Sequence, residues 1–195
     1  MKRVAQLRMY LPLLLSTVIF VVFPLMAQTQ AASHQSTITI HVGKSGLFSG
    51  FGHTHTVVAP VQRAEIDPSK MMATIEVLSK EMRVVDKDIS EKDRAQIQTD
   101  MLGPKVLDAQ QFPQILFRSS KIEPAGPQQY RVTGTLELHG VSKELSFNLA
   151  GGPEHYTGTT RLKQTDFGIQ PFSAGGGTVK VKNELELEFD IWKSR

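Results

Sequence analysis

Two histidines one residue apart, His53-Thr54-His55, carry the most specific chemical signal in this sequence. In an extended strand residues i and i+2 point to one face, so both imidazoles could meet one metal ion or one polar ligand group. His41 or His139 could supply a third nitrogen, but alternation along their neighbours sends each to the opposite, outward face. The chain has no cysteine and no carboxylate cluster beside the pair. His-x-His spacing alone is a weak metal signature. Hydrogen bonding of His53 and His55 to a polar group of a bound ligand is the primary reading, since an inward polar group needs a partner. A metal site at these two residues is the alternative, and no cofactor is expected.

Other chemistry-bearing patterns fail on inspection. A calcium loop starting at Asp86 needs glycine sixth and glutamate twelfth, where Glu91 and Ile97 stand. Asp166-Phe167-Gly168 matches a kinase triplet, but no phosphate loop or catalytic loop accompanies it. Gly175-Gly176-Gly177 follows no strand-to-helix pattern and reads as a flexible connection. There is no Gly-x-Ser-x-Gly elbow either. The chain reads as a binding protein, not an enzyme.

The elements that must hold these residues are strands. Tyr130, Val132, Leu136 and Leu138 share one parity against Arg131, Thr133, Thr135 and Glu137, the period of a strand buried on one face. Leu145, Phe147 and Leu149 resume that alternation after a corner read at Gly140 and the polar Ser142-Lys143 connection. Ile38, Ile40 and Val42 form an earlier strand, and Ala73, Ile75 and Val77 face inward in a hairpin turning at Asp67-Pro68-Ser69. The closing strand sets Leu185, Leu187, Phe189 and Ile191 against Glu184, Glu186, Glu188 and Asp190. Its acidic outer row discourages edge pairing. One segment departs from this pattern. Ser90 suits an N-cap, Ile97 and Met101 stack at i, i+4, and Gly103-Pro104 ends a short surface helix set to close one barrel end. The sum is an all-β antiparallel up-and-down barrel of about eight strands with one short α-helix.

The ordered motifs Phe112-Pro113-x-Ile115-x-Phe117-x-Ser119, Val132-x-Gly134-x-Leu136-x-Leu138-His139-Gly140-Val141-x-Lys143 and Thr165-Asp166-Phe167-Gly168-Ile169 resemble the YceI-like family. The resemblance runs on through the strand from Val179 to Ile191. It implies a secreted bacterial protein with a lipocalin-like barrel that binds lipids and polyisoprenoids. Thr54 stands where some related sequences carry an acid between two such histidines, which removes one candidate metal ligand.

Residues 1–32 read as a cleaved secretory signal peptide and short tail, and 33–195 as the barrel domain. Lys2, Arg3 and Arg8 form a basic head, Met9 to Met26 is uncharged and largely apolar, and Ala27 and Ala31 offer cleavage sites. A retained membrane anchor is the rival, but Pro12 and Pro24 interrupt the run. Three of the 22 Lys+Arg and none of the 19 Asp+Glu lie in the first 27 residues, so the remainder carries 19 of each. A neutral domain lacks the basic surplus of nucleic-acid binders, so no nucleic-acid partner is expected. It is large enough to bury a core without disulfides.

These readings predict a periplasmic or secreted protein whose partner is an amphiphilic lipid or isoprenoid. Phe51, Phe117, Leu136, Leu138, Phe147, Leu187 and Phe189 are the candidate lining, with His53 and His55 at the head. The glycines at 50, 52 and 134 hint at internal space, although such a barrel can equally be filled by its side chains. Transient membrane contact and a homodimer are further partner options, and a ligand-free structural or stress-related module is a further alternative function.

Overall fold

Alternation with a period of two along most of the chain leaves it one way to bury its apolar face, by curling a single sheet onto itself. In the computed structural model, which describes residues 34–45, 54–174 and 179–192, it does so. The strands are β1 (Thr37–Ser45), β2 (His55–Asp67), β3 (Met72–Leu78), β4 (Arg83–Val84), β5 (Gln114–Gly126), β6 (Gln129–Leu138), β7 (Val141–Gly152), β8 (His155–Lys163), β9 (Ser173–Ala174) and β10 (Val179–Trp192). Eight of them close an antiparallel barrel in which each pairs with the next along the chain and β10 returns to β1. The two-residue strands β4 and β9 sit outside that circuit, on β2 and β10. Closure leaves the barrel circuit without a free edge.

The expected inward rows are the observed ones. Ala73, Ile75 and Val77 are buried on β3, and Val132, Leu136 and Leu138 on β6. Thr135 and Glu137 are exposed. The residue before β1 and the end of β10 are tied together as well. The Ser36 hydroxyl donates to the Trp192 carbonyl at 3.1 Å and accepts from the Trp192 amide at 2.9 Å.

One corner differs from the expectation. Ser142 and Lys143 are already strand residues, paired with Glu137 and Leu136, and the β6–β7 turn consists of His139 and Gly140 alone. Both have positive φ, 53° and 73°, which a two-residue hairpin with strand-matching twist requires. A Cβ on Gly140 would also lie 2.6 Å from the Phe112 ring, which rests over His139 at 4.5 Å between centroids. His139 thus belongs to a turn rather than to the outer face of a strand.

The β2–β3 hairpin turns through a short 3-10 helix, Pro68–Lys70, capped by Asp67. The Ser69 hydroxyl and the Lys70 side chain, both bound to the Asp67 carboxylate, hold its pKa down at about 2. A carboxyl with a depressed folded pKa stabilises the fold above its unfolded value and loses that contribution as pH falls toward 2. NMR titration should place Asp67 near 2, and Asp67→Asn should narrow the stability gap between pH 7 and pH 2. An ordinary carboxyl titration at Asp67 would refute the capping account.

The helix α1 (Glu91–Leu102) begins at Ser90, whose hydroxyl accepts the Asp93 amide at 3.1 Å. No residue of α1 is fully buried. Polar ties hold it in place instead. The Gln98 amide accepts from the Val84 N–H and donates to the Met82 carbonyl, both at 2.8 Å, so one side chain satisfies the β4 backbone. Arg94 donates to the Asp86 carbonyl at 2.8 Å.

Candidate functional site

The barrel is solid at one end and hollow at the other. Around the ends of β6, β7, β8 and β10 nearest Gln129 and Trp192, Val132 is 0%, Leu149 1% and Ile191 2% exposed, and Tyr156 is buried with them. Burial also pushes the Tyr156 hydroxyl above its ordinary pKa. None of these four lines the space above. Toward the opposite end lies a cavity of about 510 Å³, within the range of small-molecule sites.

Its walls follow from the inward parity of each strand. Ile38, Ile40 and Val42 come from β1, Val57 and Ala59 from β2, Leu145 from β7 and Leu185 from β10. Phe147 and Phe189 lie 4.8 Å apart and Phe117 lies 5.1 Å from Phe147, so three rings form a floor over the plug. The roof comes from segments outside the barrel wall. Met82 and Val84 approach from one side, Ile97 and Met101 from α1, and Leu107, Ile169 and Phe172 complete it.

Most of the lining residues expected from sequence meet here. Phe117, Leu136, Leu138, Phe147, Leu187 and Phe189 all face the cavity. Phe51 and His53 lie outside the described residues, as do Gly50, Gly52 and Gly175-Gly176-Gly177. Gly134 corrects the expectation that it signals empty space. A Cβ there would sit 2.3 Å from the Arg118 carbonyl and 2.6 Å from the Phe117 ring, so the missing side chain admits the ring and a neighbouring backbone. Opposite it, β5 carries a bulge between Ser119 and Lys121, which bends that strand toward Gly134.

His55 also lines the cavity, with its side chain 19% exposed. Its Nδ1 lies 2.7 Å from Asp86 Oδ2, while Asp86 Oδ1 accepts the Thr56 amide at 2.7 Å. A carboxylate only accepts, so Nδ1 carries the proton and the ring orientation is fixed. Nε2 is then the nitrogen that remains for a ligand. Asp86 is the partner that sequence reading missed, because it lies 31 residues from His55 and only strand closure joins them. One local signal existed: an acid directly after Val84-Val85, in an otherwise apolar approach to the helix. His41 points outward, its Nε2 3.3 Å from Glu188, and His139 sits in its turn, so neither adds a nitrogen to His55. Among the described residues no cluster of three metal-ligating side chains occurs.

The model of the YceI-like domain matches residues 29–192, nearly the whole of the barrel-forming chain. The chain belongs to the YceI-like family. This YceI-like chain is 30% identical over 132 residues to a UPF0312 protein of Vibrio cholerae serotype O1, covering 63% of this chain and 66% of that one. It is 33% identical over 115 residues to a UPF0312 protein of Vibrio parahaemolyticus, covering 54% and 59%. The matched region thus spans just under two thirds of these relatives' own length. Among solved structures, BcnA of Burkholderia cenocepacia superposes with a TM-score of 0.62 at 20% identity, covering 82% of this chain and 96% of BcnA. That likeness is one of fold.

Proposed function

We propose that this YceI-like protein is a periplasmic or secreted carrier that holds an amphiphilic lipid, a polyisoprenoid above all, inside its barrel. The observation that carries the reading is the half-hollow interior. Nature fills protein interiors to crystal-like density, so an apolar space of this size beside a fully packed plug is not an accident of poor packing. The tail lies against Phe117, Leu136, Leu138, Phe147, Leu187 and Phe189, and the floor of rings stops it. The head meets His55, held by Asp86, while sequence parity alone assigns His53 to the head and Phe51 to the lining. Binding rather than catalysis is the role, and no cofactor takes part. Export rests on the basic head and apolar run of residues 1–27, with 33–195 as the working domain.

Native mass spectrometry of the protein purified from its host tests both parts. The polypeptide mass should correspond to a chain beginning between Gln28 and Ser33, and a fraction should carry a lipid-sized adduct lost on collisional activation. An intact Met1 in a membrane fraction would mean that the segment is an anchor. A metal-sized adduct abolished by His55→Asn would replace the lipid reading with the metal one. The same spectrum counts protomers and so tests for a homodimer.

A further inference from the structure

We propose that α1 is a lid over the cavity, which pivots at its C-terminal end and lifts its N-terminal half off β4 to admit the ligand. This rests on the carrier reading above and adds the route of entry.

A tail that lies inside the barrel must pass some part of the enclosure. The wall is a closed antiparallel ladder, and parting it would break a row of backbone hydrogen bonds at once. The floor stands on the packed plug. Among the described residues the roof is built from segments outside that ladder, and its parts are not equally fixed. Met82, Val84, Leu107 and Ile169 are buried. Ile97 and Met101, the apolar residues that α1 sets over the cavity, are only half-buried. Lifting α1 therefore uncovers less apolar surface than displacing the buried roof residues would.

The two ends of α1 are held differently. At the C-terminal end the Leu107 amide donates to the Met101 carbonyl and the Ala109 amide to the Leu102 carbonyl, both at 3.1 Å. Leu107 is itself buried, so this end is the pivot. Nearer the N-terminus the ties to β4 and its continuation are side-chain hydrogen bonds from half-buried residues. Gln98 accepts from the Val84 amide and donates to the Met82 carbonyl, while Arg94 donates to the Asp86 carbonyl. Water can replace each of these bonds. Exposed Lys87 and Asp88 link Asp86, pinned to His55 and Thr56, to the region of the Ser90 cap. Within the helix the Thr99 hydroxyl donates to the Ala95 carbonyl at 2.9 Å and Gln96 to Asp100 at 3.1 Å, bonds that survive as it moves. Gln98 is the main latch, since its one side chain serves two β4 backbone groups. The second latch, Arg94, sits on the same Asp86 that orients His55.

Stopped-flow fluorescence of the delipidated protein with cis-parinaric acid, whose emission rises on leaving water, tests the lid. Gln98→Ala should raise the association and dissociation rate constants together, each by about fivefold or more, so that their ratio moves little. Gln98→Glu, which still accepts from Val84 but cannot donate to Met82, should fall between Gln98→Ala and the unaltered protein. Gln96→Ala, on the same helix but bonded to Asp100 within it, should leave both rates as they are. Unchanged rates in Gln98→Ala would mean that α1 does not limit entry. A rise in dissociation alone would mean that Gln98 merely stabilises the bound state. Either result overturns the lid and leaves the carrier reading intact. If Gln98→Ala does not fold, Gln98→Glu carries the test, and unchanged rates there overturn the lid. No rise in emission with the unaltered protein would remove the carrier reading, and the lid with it.

Discussion

Truncating Leu149 to alanine should cost about 3 to 5 kcal/mol of unfolding free energy, while the same truncation at Leu187 should cost about 2 kcal/mol or less. Both are inward leucines on long barrel strands, and they differ in what surrounds them. Leu149 is 1% exposed within the solid end, so its removal opens a new cavity in a packed environment. That adds a cavity penalty to the lost transfer energy. Leu187 already borders the empty space, and its removal enlarges a void that exists. Only the transfer term is lost. Urea unfolding of the two variants, with equal m-values, measures the difference. Equal costs at the two positions would mean that the barrel is filled throughout.

Leu136→Asp should destabilise by several kcal/mol, whereas Thr135→Asp should cost well under 1 kcal/mol. Leu136 is buried, faces the cavity and pairs across the β5–β6 ladder with Phe117, so a carboxylate there is desolvated among apolar side chains. Thr135 is exposed on the opposite face of β6, between Glu144 across the β6–β7 pair and Arg118 across the β5–β6 pair, and a new carboxylate there meets solvent with one like and one opposite charge beside it. Thermal or urea denaturation of the pair separates the two faces directly. Similar losses at both would contradict the assigned parity and with it the register of the hairpin.

The wall of the barrel was legible in the sequence because its period is local. Leu185, Leu187, Phe189 and Ile191 against four acids determine which face of β10 is inward, and no distant residue is needed to decide it. The helix was legible for a similar reason, since Ser90 caps its first turn and Pro104 forces the preceding Gly103 into extended backbone. The β6–β7 corner was drawn too far along, through Ser142-Lys143, because His139 takes a positive φ that non-glycine residues seldom adopt and so did not read as a turn residue. Asp86 could not be paired with His55 in advance, since the contact depends on β4 folding back along β2. Nor could the hollow be told from a filled interior. Both need the same inward leucines and phenylalanines, and Gly134, the visible hint of space, accommodates the Phe117 ring.

The central claim is that the hollow half of the barrel receives an apolar tail. A crystal structure of the protein grown with farnesyl phosphate measures this most directly. Continuous difference density should lie within the walls, ending against Phe147 and Phe189 and rising to the level of His55. A cavity filled by ordered water or by collapsed side chains, with the amphiphile absent or lying on the outer surface of the barrel, would contradict it.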